Sequence, residues 1–191
     1  MSKNRLEAFS DGVLAIVLTI MVLELKVPHG VDLASLLPLL PKFLSYVLSF
    51  MYVGIYWNNH HHLFQVVKAI DGRVLWANMH LLFWLSLLPF VTAWSGENHF
   101  APVPVATYGV VLFMASVAYY VLTRALLGSQ QQDANLARAL GSDLKGKVST
   151  ALYAGAVPLA FVSPWLALSI YLTVALTWLV PDTRIVKVLK P

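Results

Sequence analysis

The chain has 191 residues, of which 59% are hydrophobic and 12% are charged, and its formal net charge is +4. Soluble domains carry about 25% charged residues, so this composition excludes an ordinary water-soluble domain and predicts an integral membrane protein. Cysteine is absent, which excludes disulfides and thiolate metal sites. No cleavable signal peptide is predicted, because Glu24 and Lys26 follow the first apolar run in place of a small-residue cleavage site.

Six stretches are long and apolar enough, or nearly so, to cross a bilayer as helices, which takes about 20 residues each. In chain order they are 5–26, 39–66, 73–94, 104–127, 148–163 and 165–181. A tight hairpin is predicted between the last two, because Pro164 disfavours helix at the residue before it. The predicted fold is therefore all-α, with six transmembrane helices in a single domain over 1–191. Its one long polar linker, at about 128–147, has room for a short amphipathic helix.

Lysine and arginine lie almost entirely on one side of the predicted membrane. The N-terminal segment, the loop after the second helix, the loop after the fourth helix and the C-terminal tail hold eleven of the 13. These residues are Lys3, Arg5, Lys68, Arg73, Arg124, Arg138, Lys145, Lys147, Arg184, Lys187 and Lys190. Only Lys26 and Lys42 fall on the opposite side. Basic loops face the cytoplasm, so both termini are predicted to be cytoplasmic in a plasma-membrane protein, and the basic charge indicates topology, not nucleic-acid binding.

The first predicted helix begins with charges that lipid would reject. Arg5, Glu7 and Asp11 precede the uncharged stretch 12–23. That stretch spans about 18 Å at 1.5 Å per residue, whereas the hydrocarbon core is about 30 Å thick. The charged turn is therefore expected at membrane depth, where it must be buried in protein or bathed by a water-filled entrance.

A helical wheel divides this first helix into two faces. At 100° per residue, one stripe lies within about 60° of Ile16. Its members are Phe9, Gly12, Ile16, Thr19, Ile20 and Leu23. Glu7, Ser10 and Asp11 point to the far side, and because an unpaired carboxylate is costly in lipid, Asp11 is expected to meet a donor on a neighbouring helix. The candidate partners are Arg5, Trp57, His60 and His61, from the same subunit or another. Taken alone, the stripe also fits ordinary packing or lipid contact, and the acid also fits a purely structural role.

Three motifs occur together in the first three predicted helices. They comprise Arg5-x-x-x-Phe9-Ser10-Asp11 followed by GVLAIVLTIMVLELKVP, then Trp57-x-x-His60-His61-x-x-Phe64, and finally Asn78 with LSLLPF at 85–90. Together they resemble the signature of the transmembrane protein 175 family of potassium channels. The resemblance implies a potassium-selective channel without a Thr-Val-Gly-Tyr-Gly filter loop, and that loop does not occur in this sequence. It also implies a single-repeat subunit that assembles in the lipid bilayer as a homotetramer around a central pore.

The resemblance also assigns roles to particular residues. The family's pore-lining layers correspond to Ile16, Thr19, Ile20 and Leu23, on the same stripe as Gly12. The structural and gating network corresponds to Arg5, Phe9, Ser10, Asp11, Trp57, His60, His61 and Asn78, with the two histidines as hydrogen-bond partners of the first helix. Rings of Ile16 and Leu23 would constrict the pore by dewetting, and Thr19 would bind passing potassium through its hydroxyl oxygen. The alternative for Thr19 is a hydroxyl bonded to a carbonyl of its own helix.

The consecutive histidines do not predict a metal site. His60, His61 and His62 diverge by about 100° each on a helix, so they cannot share one ion, and the segment has no His-x-x-x-His pair on one face. We therefore expect no structural metal, no cofactor and no catalysis, with potassium near Thr19 as the permeant ion. Neither nucleic acid nor an organic substrate is expected as a partner. Imidazole titrates near neutral pH, which leaves proton sensing open.

A proton-coupled or other secondary transporter is the alternative function. Transporters place titratable groups and broken helices near the bilayer midplane. Pro89 and Pro158 could kink the third and fifth predicted helices, but the spans hold few titratable groups beyond Asp11 and the histidines. A tetramer would favour the central pore, and a monomer would favour the transporter.

Overall fold

The computed structural model describes residues 2–65, 67, 70–129 and 143–180, and their regular structure is entirely helical. The elements are α1 (Lys3–Leu23), a 3-10 helix (Leu33–Leu39), α2 (Leu40–Gln65), α3 (Gly72–Ser86), α4 (Leu88–Glu97), α5 (Pro102–Ser129), α6 (Leu144–Val162) and α7 (Pro164–Leu179). The all-α class is confirmed.

Four helical stretches of the described residues are long and apolar enough to cross a membrane. They are Lys3–Leu23, Leu33–Gln65, Gly72–Glu97 and Pro102–Ser129. The apolar helix α7 is shorter, with 16 residues, and α6 carries Lys145 and Lys147 near its start. These helices indicate a multi-pass membrane protein, while the count of six spans stays a prediction.

Several predicted boundaries differ from the structure by a few residues. The first helix, predicted over 5–26, ends at Leu23, and Glu24 forms its C-cap. The polar linker predicted at about 128–147 is shorter at both ends, because α5 continues to Ser129 and α6 begins directly after its N-cap, Asp143. The Asp143 carboxylate accepts the Gly146 N–H at 2.9 Å, as N-cap residues commonly do. The amphipathic helix predicted for the linker falls mostly on 130–142, outside the described residues.

Proline interrupts the helices at two places. The predicted hairpin is confirmed, since α6 ends at Val162 and Ser163 is extended before α7 begins at Pro164. The third predicted span is two helices, because α3 ends at Ser86 and Pro89 occupies the first turn of α4. Proline has no N–H to donate to the carbonyl one turn earlier and its ring crowds that carbonyl, so a continuous helix is disfavoured there. Pro158 lies inside the uninterrupted helix α6.

The bundle places α1 at its flank. One side of α1 packs against α2, α3 and α4, whereas α5 packs against α3, α4, α6 and α7. Several polar groups inside the bundle are paired across helices, which lowers the cost of placing them in a low-dielectric interior. The Tyr52 hydroxyl, for example, donates to the carbonyl of Tyr171 at 2.6 Å, and Ser116 and Thr150 share a bond of 2.5 Å between α5 and α6. The opposite side of α1 is left uncovered in the subunit.

Candidate pore helix and its anchor

One face of α1 is buried in the bundle. Its buried residues are Leu6, Ser10, Leu14, Val17 and Met21. Their spacing of three or four residues is the spacing of one helix face. Four of the five are apolar and pack into the core, so the single polar member, Ser10, needs hydrogen-bond partners.

A chain of buried hydrogen bonds joins Ser10 to two other helices. Its hydroxyl donates to the carbonyl of Leu6 at 2.9 Å and accepts from Nδ2 of Asn78 at 3.0 Å. The carbonyl Oδ1 of Asn78 lies 2.8 Å from Nε2 of His60. Because Oδ1 can only accept, His60 donates through Nε2. The His60 ring also stacks on Phe64, with centroids 4.5 Å apart. This Ser10–Asn78–His60 chain links α1, α3 and α2.

Asp11 has a partner of its own on α2. The indole Nε1 of Trp57 donates to Oδ1 of Asp11 at 3.0 Å, so Trp57 is the partner that the subunit provides among the four predicted candidates. The Trp57 ring stacks on His61 at 6.0 Å. His61 in turn is hydrogen-bonded to Gln65 at 2.8 Å. Arg5 is exposed at the start of α1, outside both contacts.

Both histidines reach α1 through other side chains. The resemblance implies that His60 and His61 are hydrogen-bond partners of the first helix. Within the subunit, His60 acts through the side chain of Asn78, and His61 meets α1 through the ring of Trp57. The physical reason is that the Asn78 side chain of α3 lies between His60 and Ser10, and its amide can donate to the hydroxyl while it accepts from the imidazole.

The opposite face of α1 is the stripe singled out by the wheel. All six of its members are exposed in the subunit: Phe9, Gly12, Ile16, Thr19, Ile20 and Leu23. Ile16 is 60% exposed and Leu23 is 74% exposed, fractions that large apolar side chains rarely show unless they face lipid or another protein surface. A Cβ added at Gly12 would meet no atom within 4 Å. The stripe therefore faces away from its own bundle along the whole helix.

Thr19 makes the bond that the sequence left as an alternative. Its hydroxyl donates to the carbonyl of Ala15 at 2.9 Å. This bond uses the only hydroxyl proton and leaves oxygen lone pairs on the exposed side. A cation needs acceptor oxygens, so the intrahelical bond and ion binding are compatible. The described residues contain no group of three histidine, aspartate or glutamate side chains arranged to hold a metal ion.

A second polar cluster behind α1 was not predicted from the sequence. Ser49 lies 2.6 Å from the hydroxyl of Thr92 and 2.8 Å from that of Tyr108, and Thr92 donates to the carbonyl of Leu88 at 2.6 Å. The sulfur of Met21 is 3.8 Å from the Thr92 hydroxyl. The signal in the sequence was the helical spacing of Ser45, Ser49 and Tyr52 in an otherwise apolar stretch of α2.

Comparisons with known proteins agree with this architecture. Residues 5–89 match the family model described as endosomal/lysosomal potassium channel TMEM175. The chain is 55% identical over 190 residues to a potassium channel of Chryseobacterium sp. (strain P1-3), covering 100% of this chain and 99% of that protein. It belongs to the TMEM175 family. This TMEM175-family chain is also 33% identical over 186 residues to a potassium channel of Streptomyces collinus (strain DSM 40733 / Tue 365), covering 91% of this chain and 89% of the relative.

A solved structure resembles the TMEM175-family fold seen here. It is the crystal structure of a homologue of the lysosomal potassium-selective channel TMEM175 from Chamaesiphon minutus, with a TM-score of 0.81 and 28% sequence identity. The match covers 94% of this chain and 97% of that one. The chain is accordingly a multi-pass membrane protein of a channel family, and channels are not enzymes.

Proposed function

We propose that this TMEM175-family protein is a potassium-selective channel that conducts passively through a homotetrameric pore lined by α1. We place it in the plasma membrane with both termini in the cytoplasm, following the distribution of Lys and Arg. The observation that carries the proposal is the exposed apolar stripe on a helix whose opposite face is hydrogen-bonded into the bundle. The relatives named as potassium channels support the choice of ion.

The stripe favours a pore over a lipid-facing surface because of the charges at its start. Arg5 and Asp11 are exposed on the same helix, Asp11 within two turns of Ile16 and Arg5 about three turns from it. A lipid-facing stripe would bring Arg5 toward hydrocarbon, which is costly. Around a central axis, Arg5 would face a water-filled entrance, while Asp11 would stay bonded to Trp57 on the other side of the helix. Four copies of the stripe would then cover one another and leave the polar anchor on the outside of the pore helix.

In this arrangement the stripe would supply two kinds of layer. Rings of Ile16, Ile20 and Leu23 would be narrow and apolar, and such rings block ions by dewetting. Ile16 and Leu23 are seven residues apart, about 10 Å along the axis, so a small tilt of the helices would widen them by different amounts. The exposed Thr19 oxygens lie between these layers and would act as ligands for a weakly hydrated cation such as potassium.

The transporter alternative is less well supported. Its titratable candidate, His60, is buried with Asn78 on the far side of α1 from the stripe. The helix break between Ser86 and Leu88 lies in α3 and α4, not in the helix that carries the stripe. The relatives, moreover, are named as channels.

Passive flux from proteoliposomes tests the proposed function. Wild type and Ile16→Asn would be compared under potassium, sodium and N-methylglucamine gradients, with Leu172→Asn on the exposed face of α7 as the control. We expect voltage-driven flux that favours potassium, a leakier Ile16→Asn because a polar ring stays wet, and a control equal to wild type. Transport that requires a proton gradient, with no passive flux, would reject the channel.

Thr19→Val tests the selectivity layer separately. Thr107 offers a control, because it is a half-buried threonine that makes the same intrahelical bond, to Val103 at 2.9 Å. We expect Thr19→Val to form intact tetramers with a flattened preference for potassium over sodium, while Thr107→Val keeps the preference of wild type. An unchanged preference in Thr19→Val would remove Thr19 from the selectivity mechanism.

A further inference from the structure

A cavity of about 460 Å³ lies between α2, α5 and α6, away from the stripe on α1. Its walls carry several aromatic side chains, among them Tyr52, Tyr56, Phe113, Tyr119, Tyr153 and Trp178. The volume is within the range of about 300–1,000 Å³ typical of sites for small organic ligands. The tyrosine hydroxyls of its deep end are turned into the protein, where Tyr153 donates to Tyr52 at 3.2 Å and Tyr52 donates to a backbone carbonyl. The cavity therefore presents mainly apolar surface to an occupant.

The cavity has one polar end and one open side. At the start of α6 it is lined by Asp143, Gly146 and Lys147. Along its side it is lined by Ala151 and Ala154, which are both exposed on the outer surface of α6. Because α6 begins on the side predicted to be cytoplasmic, the polar end lies at the level of lipid head groups and the open side lies along the acyl chains.

The charges at the polar end distinguish between possible occupants. The Asp143 carboxylate is committed to its cap on Gly146. Lys145 donates to the carbonyl of Val180 at 3.0 Å and lies 4.4 Å from the centre of the Trp178 ring. Lys147 lines the same mouth with an exposed side chain. With two lysines against one carboxylate, the described residues of the mouth carry a net positive charge, which is complementary to a negative group placed above an apolar cavity.

We propose that this cavity binds one acyl chain of an anionic phospholipid of the cytoplasmic leaflet, with the lipid phosphate at Lys147. A soluble anion would not use the aromatic walls, and a neutral chain would not use the lysine. Basic residues at the cytoplasmic membrane surface attract anionic lipids, and the exposed alanines give the chain a lateral path from the bilayer. The site belongs to each subunit and does not depend on the pore.

Binding would act on the helix that anchors α1. Tyr56 and Asn59 line the cavity, and Trp57 and His60, on the other side of the same turns of α2, hold α1 through Asp11 and Asn78. The hydroxyl of Tyr119, on the far wall, donates to the carbonyl of Asn59 at 3.2 Å. An acyl chain that fills the cavity would stabilise this segment of α2. This regulatory consequence rests on the proposed channel function, whereas binding does not.

Native mass spectrometry of the full-length protein tests binding directly. Protein purified in detergent would be titrated with dioleoylphosphatidylglycerol and with dioleoylphosphatidylcholine, and bound lipid counted per subunit. We expect one phosphatidylglycerol per subunit in wild type and loss of that lipid in Ala154→Phe, whose ring would occupy the cavity. Gly155→Phe is the control, because Gly155 is exposed, is absent from the cavity lining and has no atom within 4 Å of an added Cβ.

The charge is tested with a second pair of variants. Lys147→Gln is expected to weaken phosphatidylglycerol binding about fivefold, the effect of removing one basic residue near a membrane surface. Its phosphatidylcholine binding should weaken less, because the choline cation of that lipid already compensates the charge of its phosphate. Arg124→Gln removes an exposed positive charge near the end of α5, outside the cavity lining, and should change neither. Equal lipid retention in wild type and Ala154→Phe would overturn the site, and equal phosphatidylglycerol affinity in wild type and Lys147→Gln would overturn the assignment of the head group.

Measurements of potassium flux test the proposed regulation by lipid separately from the proposed channel function. In liposomes with and without phosphatidylglycerol, wild-type potassium flux should depend on this lipid and the flux of Ala154→Phe should not. If lipid binds but the potassium flux does not depend on it, the proposed regulation would be overturned, whereas the proposed binding site would stand. If neither wild type nor any variant conducted potassium, the proposed channel function would fail. Native mass spectrometry would still show whether the cavity binds phosphatidylglycerol.

Discussion

The two halves of α1 are held in the bundle by different forces. In the first half, Ser10 and Asp11 are hydrogen-bonded to α3 and α2. In the second half, Leu14, Val17 and Met21 are buried by apolar packing. The sulfur of Met21 lies near the Thr92 hydroxyl, but that hydroxyl donates its single proton to a closer carbonyl. Directional bonds thus hold one half, and contacts without direction hold the other.

This difference indicates which half can move. Hydrogen bonds weaken steeply with misalignment, so the Ser10 and Asp11 contacts fix the rotation and register of the first half. Between helices in a membrane, apolar packing has no hydrophobic driving force and rests on van der Waals contact. We therefore expect the first half to act as a pivot and the second half, which carries Ile16, Thr19, Ile20 and Leu23, to tilt when the proposed pore widens.

Breaking the anchor at its centre should have the largest effect. Asn78→Leu keeps the approximate volume but leaves the buried His60 donor without its acceptor, which costs about 1–3 kcal/mol. We expect a lower thermal midpoint and less tetramer by light scattering after size exclusion. Asn58→Leu, at a half-buried asparagine of α2 outside this chain of bonds, is the control. If the thermal midpoint of Asn78→Leu equals that of wild type, the first half of α1 is not held more firmly than the second half.

The Asp11 contact should have a smaller effect because it is exposed in the subunit. Asp11→Asn keeps an acceptor for Trp57 but loses the charge that strengthens the bond. We expect fewer assembled tetramers or a changed open fraction in liposome flux, with an unchanged ratio of potassium to sodium. Glu7→Gln, a half-buried acid one turn earlier, serves as the control. A shifted ion ratio with normal assembly would assign Asp11 to the ion path.

The polar cluster behind the second half should be less sensitive. Thr92→Val removes a hydroxyl but leaves Ser49 and Tyr108 to bond each other, and single interhelical hydrogen bonds in membrane proteins average about 0.6 kcal/mol. We expect a small fall in the thermal midpoint and a potassium flux equal to that of wild type. A leak like that of Ile16→Asn would show that Thr92 holds the second half of α1 after all.

The smallest effect is expected at the start of α3, which places Asn78 two turns further along. Asp71 accepts the Val74 N–H at 3.0 Å as the N-cap, and this bond together with Arg73 lowers the pKa of Asp71 below its ordinary value of 3.8. A lowered pKa stabilises the folded state above pH 3.8, and this contribution is lost as the pH falls through the lowered pKa. Asparagine caps equally well but does not titrate.

Thermal midpoints at pH 6 and pH 3 test this contribution. Asp71→Asn should lose less stability on acidification than wild type does, by a small margin because the carboxylate is solvent-accessible. Glu7→Gln, whose side chain lies outside the cap, provides the comparison. If the thermal midpoint falls equally in wild type and Asp71→Asn between pH 6 and pH 3, the charged cap does not contribute to stability.

The structural features that depend on residues close together in the chain could be predicted from the sequence. The all-α class, the helix break at Pro164 and the stripe from Phe9 to Leu23 follow from composition, proline geometry and a period of 3.6 residues. The wheel also predicted that Ser10 would face away from the stripe, and Ser10 is buried there. These are local properties, because each is determined by residues within about two turns of one another.

The partners of the anchor were decided only by the tertiary structure. The sequence offered Arg5, Trp57, His60 and His61 to Asp11 on equal terms, and only the packing of α2 against α1 brings the Trp57 indole within 3.0 Å. The position of Asn78 between Ser10 and His60 likewise depends on how α3 packs. Hydrogen bonds between residues 46 and 68 positions apart require distances and angles that no local pattern encodes. The sequence therefore determined which face of α1 is apolar, and helix packing decided what holds the other face.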